Sequence, residues 1–241
     1  MRKTVPALAL LLAFAGHDAA FAQTEHCDDF SSIRKGSYEI VNNVWDRGGY
    51  PGKQCITRSG WTWDWPSTSN SVRSYPSIRQ GWQPWTSGST LPKLPIQVSK
   101  VQSITASFNV TTKQTGRYNT AFEMWITNSN TPSPRAIKTE IMIWTDRNEM
   151  NPAGTKIDTV AINGRTYDLW HNPHHGGWRY VAFVAHRKQL SGSLRLDAFV
   201  AECEKRGWVS PSEYVADIEF GNEIISGKGS TVLNSISFSV R

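Results

Sequence analysis

Cysteine is scarce, charge is never clustered, and only one stretch of the chain stays apolar for long. Three cysteines in 241 residues allow one disulfide with one thiol left over, so the fold has to rest on a hydrophobic core rather than on a set of bridges. Basic residues outnumber acidic ones, 26 against 20, but they are scattered, which argues against a nucleic-acid partner. After the N-terminus no stretch approaches the roughly 20 apolar residues that cross a bilayer, so no membrane span is expected. No Pro/Ser/Thr-rich linker and no internal repeat divides the chain, and its length suits one domain with a full-sized core.

The single apolar run lies at the start. Arg2 and Lys3 precede it, it extends from Val5 to about Ala15, and Ala20, Phe21 and Ala22 form a small-x-small cleavage pattern. Residues 1–22 therefore read as a secretory signal peptide removed before Gln23, leaving 23–241 as one exported domain, extracellular or periplasmic in transit. In an oxidising compartment one bridge is favoured. Cys27 and Cys55 flank a β-hairpin pattern, and closing that loop would stabilise by about 3–4 kcal/mol in the chain-entropy model. Cys203 belongs to "LRLDAFVAECEKRG", where Leu196, Phe199, Val200 and Cys203 recur at the spacing of one helix face. Lys205 and Arg206 occupy its last turn and Gly207 its C-cap, so Cys203 reads as a buried free thiol.

Elsewhere the pattern alternates with period two between turn signals, as in "GSYEIVNNVW", "SITASFNV", "YNTAFEMWI", "YVAFVAH" and "NSISFSV". Many short strands and one helix predict an all-β sandwich. Three strands carry carboxylates on the face opposite their apolar residues. In "TEIMIW", Glu140, Met142 and Trp144 oppose Ile141 and Ile143. In "YNTAFEMWI", Ala121, Glu123 and Trp125 oppose Phe122, Met124 and Ile126. In "YVADIEFGNEII", Asp217, Glu219, Gly221 and Glu223 oppose Ala216, Ile218, Phe220 and Ile224. An unpaired carboxylate is expensive in a core, and a plain solvent face has no use for Met142 and Trp144.

Eleven tryptophans add to this. Trp61, Trp63 and Trp65 alternate in "GWTWDWP", and Trp45 follows "NNV"; each alone is ordinary packing, but their number suggests that some line a groove. Indoles with a few hydrogen-bonding groups suit the flat faces and polar edges of sugar rings. A glycosidic bond is broken by two carboxyl groups flanking it, one protonating the leaving oxygen and one attacking carbon or activating water. The residues alone leave open a glycosidase, a non-catalytic carbohydrate binder and other secreted β-proteins. His171, His174 and His175 in "HNPHHGGW" invite a metal, but the segment reads as a Pro/Gly loop without the ligand spacing of a closed site, and no metal is expected. A loop crossing the cleft, with Trp178 and a histidine near the aglycone side, is the better reading.

"NNVW" at 42–45, "AFEMW" at 121–125, "TEIMIW" at 139–144 and "FGNEIISGKG" at 220–229 resemble, in order and spacing, the motifs of glycoside hydrolase family 12, over nearly the whole mature chain. The resemblance implies a jelly-roll sandwich of two curved antiparallel sheets, a cleft across the concave face, and retention of anomeric configuration. It makes Glu140 the nucleophile, Glu223 the general acid/base and Glu123 a carboxylic acid bonded to the nucleophile, with the paired cysteines Cys27 and Cys55 near the N-terminus. In these terms Trp144 would stack on a sugar over a floor made by Met142, and Asn43, Trp45, Trp125, Pro152 and Trp178 would be further substrate contacts, Pro152 on a rim loop. Glu223 would be protonated at rest, chiefly through the charge of Glu140. Three positions depart from the family pattern: Phe30 stands where a tryptophan is expected, Glu123 is commonly aspartate, and Asp46 is commonly glycine. The reading is a secreted, monomeric endo-β-1,4-glucanase without cofactor, acting on xyloglucan or cellulose-like glucan; a lectin-like sandwich and an endo-xylanase are the alternatives.

Overall fold

The structure is a computed structural model describing residues 24–49, 51–66 and 70–241. The signal-peptide reading of 1–22 lies outside the described residues. The strands run Ser32–Lys35 (β1), Tyr38–Val41 (β2), Lys53–Thr57 (β3), Gly60–Trp65 (β4), Ser77–Gly81 (β5), Ile96–Gln97 (β6), Ile104–Gln114 (β7) and Arg117–Thr127 (β8). They continue with Ile137–Asn148 (β9), Thr155–Ile162 (β10), Arg165–His175 (β11), Trp178–Ala185 (β12), Ser191–Arg195 (β13), Tyr214–Val215 (β14), Asp217–Gly221 (β15) and Ile224–Val240 (β16). One helix, α1, spans Asp197–Lys205.

Two sheets face each other as a jelly-roll sandwich. The larger has the order β1-β2-β5-β15-β8-β9-β12-β11-β10, and the smaller pairs β3 with β4, β4 with β16, β16 with β7, and β7 with β13. The first residues of β16 still pair with β8, Ile224 opposite Tyr118, so this strand passes from one sheet to the other. Pairing is antiparallel except between β9 and β12, which run parallel. That exception corrects the all-antiparallel expectation and has a local cause. After β9 the chain returns along the sheet to enter β10 beside β11, Thr155 opposite His171, before the β10-β11-β12 meander begins.

Alternation sorts the side chains as the sequence suggests. Ile141 and Ile143, Phe122, Met124 and Ile126, and Ile218 and Phe220 all enter the main core between the sheets. Ala216 does not join them; it sits with Trp125 and Ile137 on the other face, because the chain is irregular between β14 and β15. Trp61, Trp63 and Trp65 are core residues, each at most 2 % exposed, which removes them from any sugar-binding groove. Two of them are satisfied there: Trp61 Nε1 donates to Asn222 Oδ1 at 2.8 Å and Trp65 Nε1 to Gln54 Oε1 at 3.1 Å.

On α1, Leu196, Phe199, Val200 and Cys203 are buried against the core, and Gly207 ends the helix with φ +70°. Burial pushes the Cys203 thiol up, so it stays protonated and inert. Cys27 and Cys55 form the disulfide, spanning the β1–β2 hairpin. Asp46, where the family pattern has glycine, is not among the residues with positive φ, and its N–H donates to the Arg73 carbonyl. Its turn is therefore unstrained.

Candidate active site

On the face of the larger sheet turned away from the core lies a cleft of about 730 Å³. It crosses the adjacent strands β2, β5, β15, β8, β9 and β12, and its lining includes Phe30, Asn43, Trp45, Trp85, Trp125 and Trp178 together with Glu123, Glu140, Glu219 and Glu223. Glu140 and Glu223, 83 positions apart in the chain, thus share one cavity. Rigid strands bring them there: Glu140 lies mid-β9, with Trp125 of β8 and Tyr180 of β12 as its register partners, while Glu223 sits in the short connection between β15 and β16.

Each carboxyl is held by its neighbours. Trp178 Nε1 donates to Glu140 Oε2 at 2.7 Å. Asn119 grips Glu223 twice: its amide nitrogen donates to Glu223 Oε2, and its Oδ1 accepts the Glu223 backbone N–H at 2.8 Å. The residue before it, Asn222, is fully buried and saturated. Its Oδ1 accepts Trp61 Nε1 and Thr231 Oγ1, and its Nδ2 donates to the Asn119 carbonyl and Thr120 Oγ1, both at 2.8 Å. A side chain fixed on four sides leaves Glu223 little freedom to leave the cleft.

The electrostatics follow from packing several acids close together at the base of one cleft. Burial pushes Glu140 up to about 8, helped by the charge of Glu223 and opposed by the Trp178 N–H. Burial likewise pushes Glu223 up to about 7, opposed by the Asn119 amide. For Glu223 burial, rather than the charge of Glu140, is thus the leading cause. These values place the resting proton on Glu140 ahead of Glu223, so a state with Glu140 ionised is reached when that proton passes to Glu223. The bond from Trp178, a donor only, favours the ionised form at Glu140.

Glu123 is buried beside β15 and β9, opposite Glu219 and Met142. Burial first, then the charges of Glu219 and Glu140, raise its carboxyl well above the usual range. Among the described residues no hydrogen bond joins Glu123 to Glu140, although the two stand on neighbouring strands.

Three expected contacts lie elsewhere. Trp144 is 1 % exposed and packs with Tyr75, Tyr180 and Met150 under the segment that follows β9; its indole N–H points to Met142 Sδ at 3.5 Å. It is covered by protein and offers no face to a sugar. Pro152, in the same covering segment, is buried and does not line the cleft. Met142, 1 % exposed, lies below the surface and supports it, its sulfur also approached by Tyr180 OH at 3.4 Å.

Asn43, Trp45, Trp125 and Trp178 do line the cleft. Trp45 is 49 % exposed, its Nε1 fixed on the Val72 carbonyl at 3.1 Å. Phe30 is at the rim, 59 % exposed. "HNPHHGGW" is not a crossing loop but the end of β11, a Gly176-Gly177 turn and the start of β12. His171 stacks on Trp208 with ring centroids 4.4 Å apart, His175 lies against Trp178 and Tyr180, and His174 is exposed. Among the described residues the three histidines form no common ligand group.

Sequence reasoning missed Trp85, 51 % exposed, which meets Trp125 and Trp178 edge-on at 5.0 and 6.0 Å. It sits in the connection after β5, where no periodicity marks it; Trp85 N–H donates to Gln83 Oε1. Asn119 was also missed, although its place on the carboxylate strand was a usable signal.

The family model for glycosyl hydrolase family 12 matches residues 36–241. Endoglucanase S of Pectobacterium parmentieri is 32 % identical over 241 residues, covering 95 % of this chain and 91 % of that protein. The xyloglucan-specific endo-beta-1,4-glucanase A of Aspergillus niger is 26 % identical over 240 residues, covering 92 % and 93 %. Among solved structures, the native family 12 xyloglucanase from Bacillus licheniformis superposes with a TM-score of 0.84 at 29 % identity, covering 90 % of this chain and all of that one. With Glu140 and Glu223 meeting in one cleft of this sandwich, the chain is a glycoside hydrolase and belongs to glycosyl hydrolase family 12.

Proposed function

We propose that the chain is a secreted, monomeric, retaining endo-β-1,4-glucanase that cuts inside xyloglucan or cellulose-like glucan chains, with no cofactor. The observation that carries this reading is the convergence of Glu140 and Glu223 on a single cleft crossing six adjacent strands. At the usual strand spacing the groove is about 24 Å long. It is long enough for several sugars. The names of the relatives agree with this substrate class. The Cys27–Cys55 bridge suits an oxidising compartment and supports export.

The geometry supports the following sequence of steps. Glu140, ionised and aimed by the Trp178 N–H, attacks the anomeric carbon while Glu223 passes its proton to the glycosidic oxygen, and the carbon–oxygen bond breaks. The product is a glycosyl ester on Glu140 and a free chain end. Loss of the Glu140 charge removes one cause that kept protons in the site. Glu223 then takes a proton from water, the water oxygen attacks the anomeric carbon, and Glu140 leaves as carboxylate with configuration retained. Glu123, held neutral beside the nucleophile's strand, donates a hydrogen bond to Glu140 in this scheme. Trp45 and the Trp85–Trp125–Trp178 group give apolar walls on which sugar faces stack.

Purified protein is tested on xyloglucan, carboxymethylcellulose and xylan, following reducing ends and viscosity, with proton NMR of the first product anomer. A rapid viscosity fall with β-anomer formed first is expected on one or both glucans. No release by wild type, with Glu140→Gln binding oligosaccharide as well, would make it a binder; release from xylan alone would make it a xylanase.

A further inference from the structure

Two more acids stand on β15, Glu219 lining the cleft and Asp217 buried beneath it, and the double displacement uses neither. Asp217 is fully buried and Glu219 is 2 % exposed; both lie on β15, two residues apart and so on one face. Asp217 Oδ1 accepts the Trp125 backbone N–H at 3.1 Å. Its other oxygen, Oδ2, is buried without a hydrogen-bond partner, and the next side chain on the same face of β15 is Glu219. Glu219 in turn accepts the Ser77 hydroxyl at 2.7 Å. The nearest cation, Arg79, is the register partner of Glu219 on β5, but its guanidinium is engaged by Glu39 of β2 at 2.7 and 3.1 Å.

Two neighbouring carboxylates are both acceptors, so they bond to each other only with a proton between them. Leaving a buried oxygen bare beside a second negative charge is costly. Oδ2 of Asp217 is where that proton belongs, since Asp217 lacks a second donor while Glu219 has Ser77. The remaining single charge then sits on Glu219, directly opposite Glu123 across β15 and β8, and Glu123 stands one strand from Glu140.

We infer that Asp217 and Glu219 form a proton-sharing carboxyl pair whose one negative charge, acting through Glu123 on Glu140, sets the acidic limit of the enzyme's working pH range. This rests on the glucanase reading above, in which Glu140 must be ionised to attack. The groups facing the pair are Arg79 from β5 with its partner Glu39 from β2, Glu123 from β8, Glu140 from β9, and Glu223 and Tyr75 across the cleft. Among them only Arg79 is cationic, and it is already paired, so removing the charge on Glu219 relieves Glu123 and Glu140. Asp217 and Glu219 are positioning residues: neither reacts with the sugar.

The test is the pH profile of kcat/KM for D217N, E219Q and the double variant D217N/E219Q. In D217N the amide donates to Glu219 as the protonated acid did, so the charge stays in place and the acid limb stays with it. E219Q transfers the charge to Asp217, farther from Glu123, and the limb moves to lower pH. The double variant removes it, and the limb moves furthest, by about half a unit or more. A double variant whose limb coincides with wild type, or a D217N limb shifted as far as the double, would overturn the inference. Infrared difference spectra at neutral pH, wild type minus D217N, give a readout independent of turnover. A protonated-carboxyl band present in wild type and lost in D217N is expected, and its absence would also overturn the pairing even if the chain proved inactive on glucans.

Discussion

Trp178 Nε1 lies 2.7 Å from Glu140 Oε2, so an indole from the first residue of β12 aims a carboxylate on β9, and the parallel pairing of these two strands fixes the distance. A bond to an ionised group contributes about 1.5–3 kcal/mol. Trp178→Phe keeps the aromatic wall and loses the donor. It should lower kcat/KM by about 10–100-fold. The donor stabilises the carboxylate, so its loss also shifts the acid limb of the pH profile upward; a pH–rate series on wild type and variant checks both.

Glu223→Ala removes proton delivery and should cost about 10²–10⁴-fold on polysaccharide. On an aryl glycoside whose phenolate leaves unaided, the first step should be nearly spared. Glu140→Ala should lose activity on both substrates by several orders of magnitude. Comparing the two substrates for each variant separates acid from nucleophile.

The acids of the cleft trade stability for chemistry. The Glu140 carboxyl is raised from 4.5 to about 8, so between these values the folded chain holds a proton that the unfolded chain releases. Stability therefore falls as pH rises through that window. Glu140→Gln removes the titration while keeping an acceptor for Trp178. It should melt several degrees higher than wild type at pH 8, with the gain vanishing near pH 4; calorimetry at the two pH values decides it.

Burial predicts opposite phenotypes for two tryptophans. Trp144→Ala should cost about 3–5 kcal/mol of stability, seen by denaturant unfolding. Trp45→Ala, at a half-exposed position, should change stability by only about 0.5 kcal/mol and instead raise KM for long glucans.

Reducing the bridge tests the N-terminal hairpin. The disulfide closes a separation of 28 residues, and the Cys27→Ser/Cys55→Ser variant should lose about 3–4 kcal/mol in urea unfolding. The catalytic profile at low temperature should be retained.

Period-two alternation made the carboxylates of β8 and β9 legible, because side chains of a strand must choose between two faces and a core rejects Glu123 and Glu140; Glu223 falls just past the end of β15, in the connection to β16. The single helix was equally plain from Leu196 to Cys203. Alternation is blind to what covers a face afterwards. Trp144 shares the face of Glu140, yet the segment through Met150 and Pro152 folds over it, a long-range event with no local signature. Trp61, Trp63 and Trp65 stayed undecided for the same reason: an indole stripe looks alike whether another sheet or a sugar lies against it. Trp85 was invisible because irregular connections carry no period.

Asn222 is anchored from behind by Trp61 and Thr231 of the smaller sheet, while Asn119 and Thr120 hold it from the larger one. In the proposed mechanism the reach of Glu223 toward a leaving group therefore depends on how firmly the back of the sandwich is seated. Warming or mutation that loosens the rear wall should blunt proton delivery before it frees the sugar from its tryptophans, so a tired enzyme of this build would still grip its polymer after it had stopped cutting it.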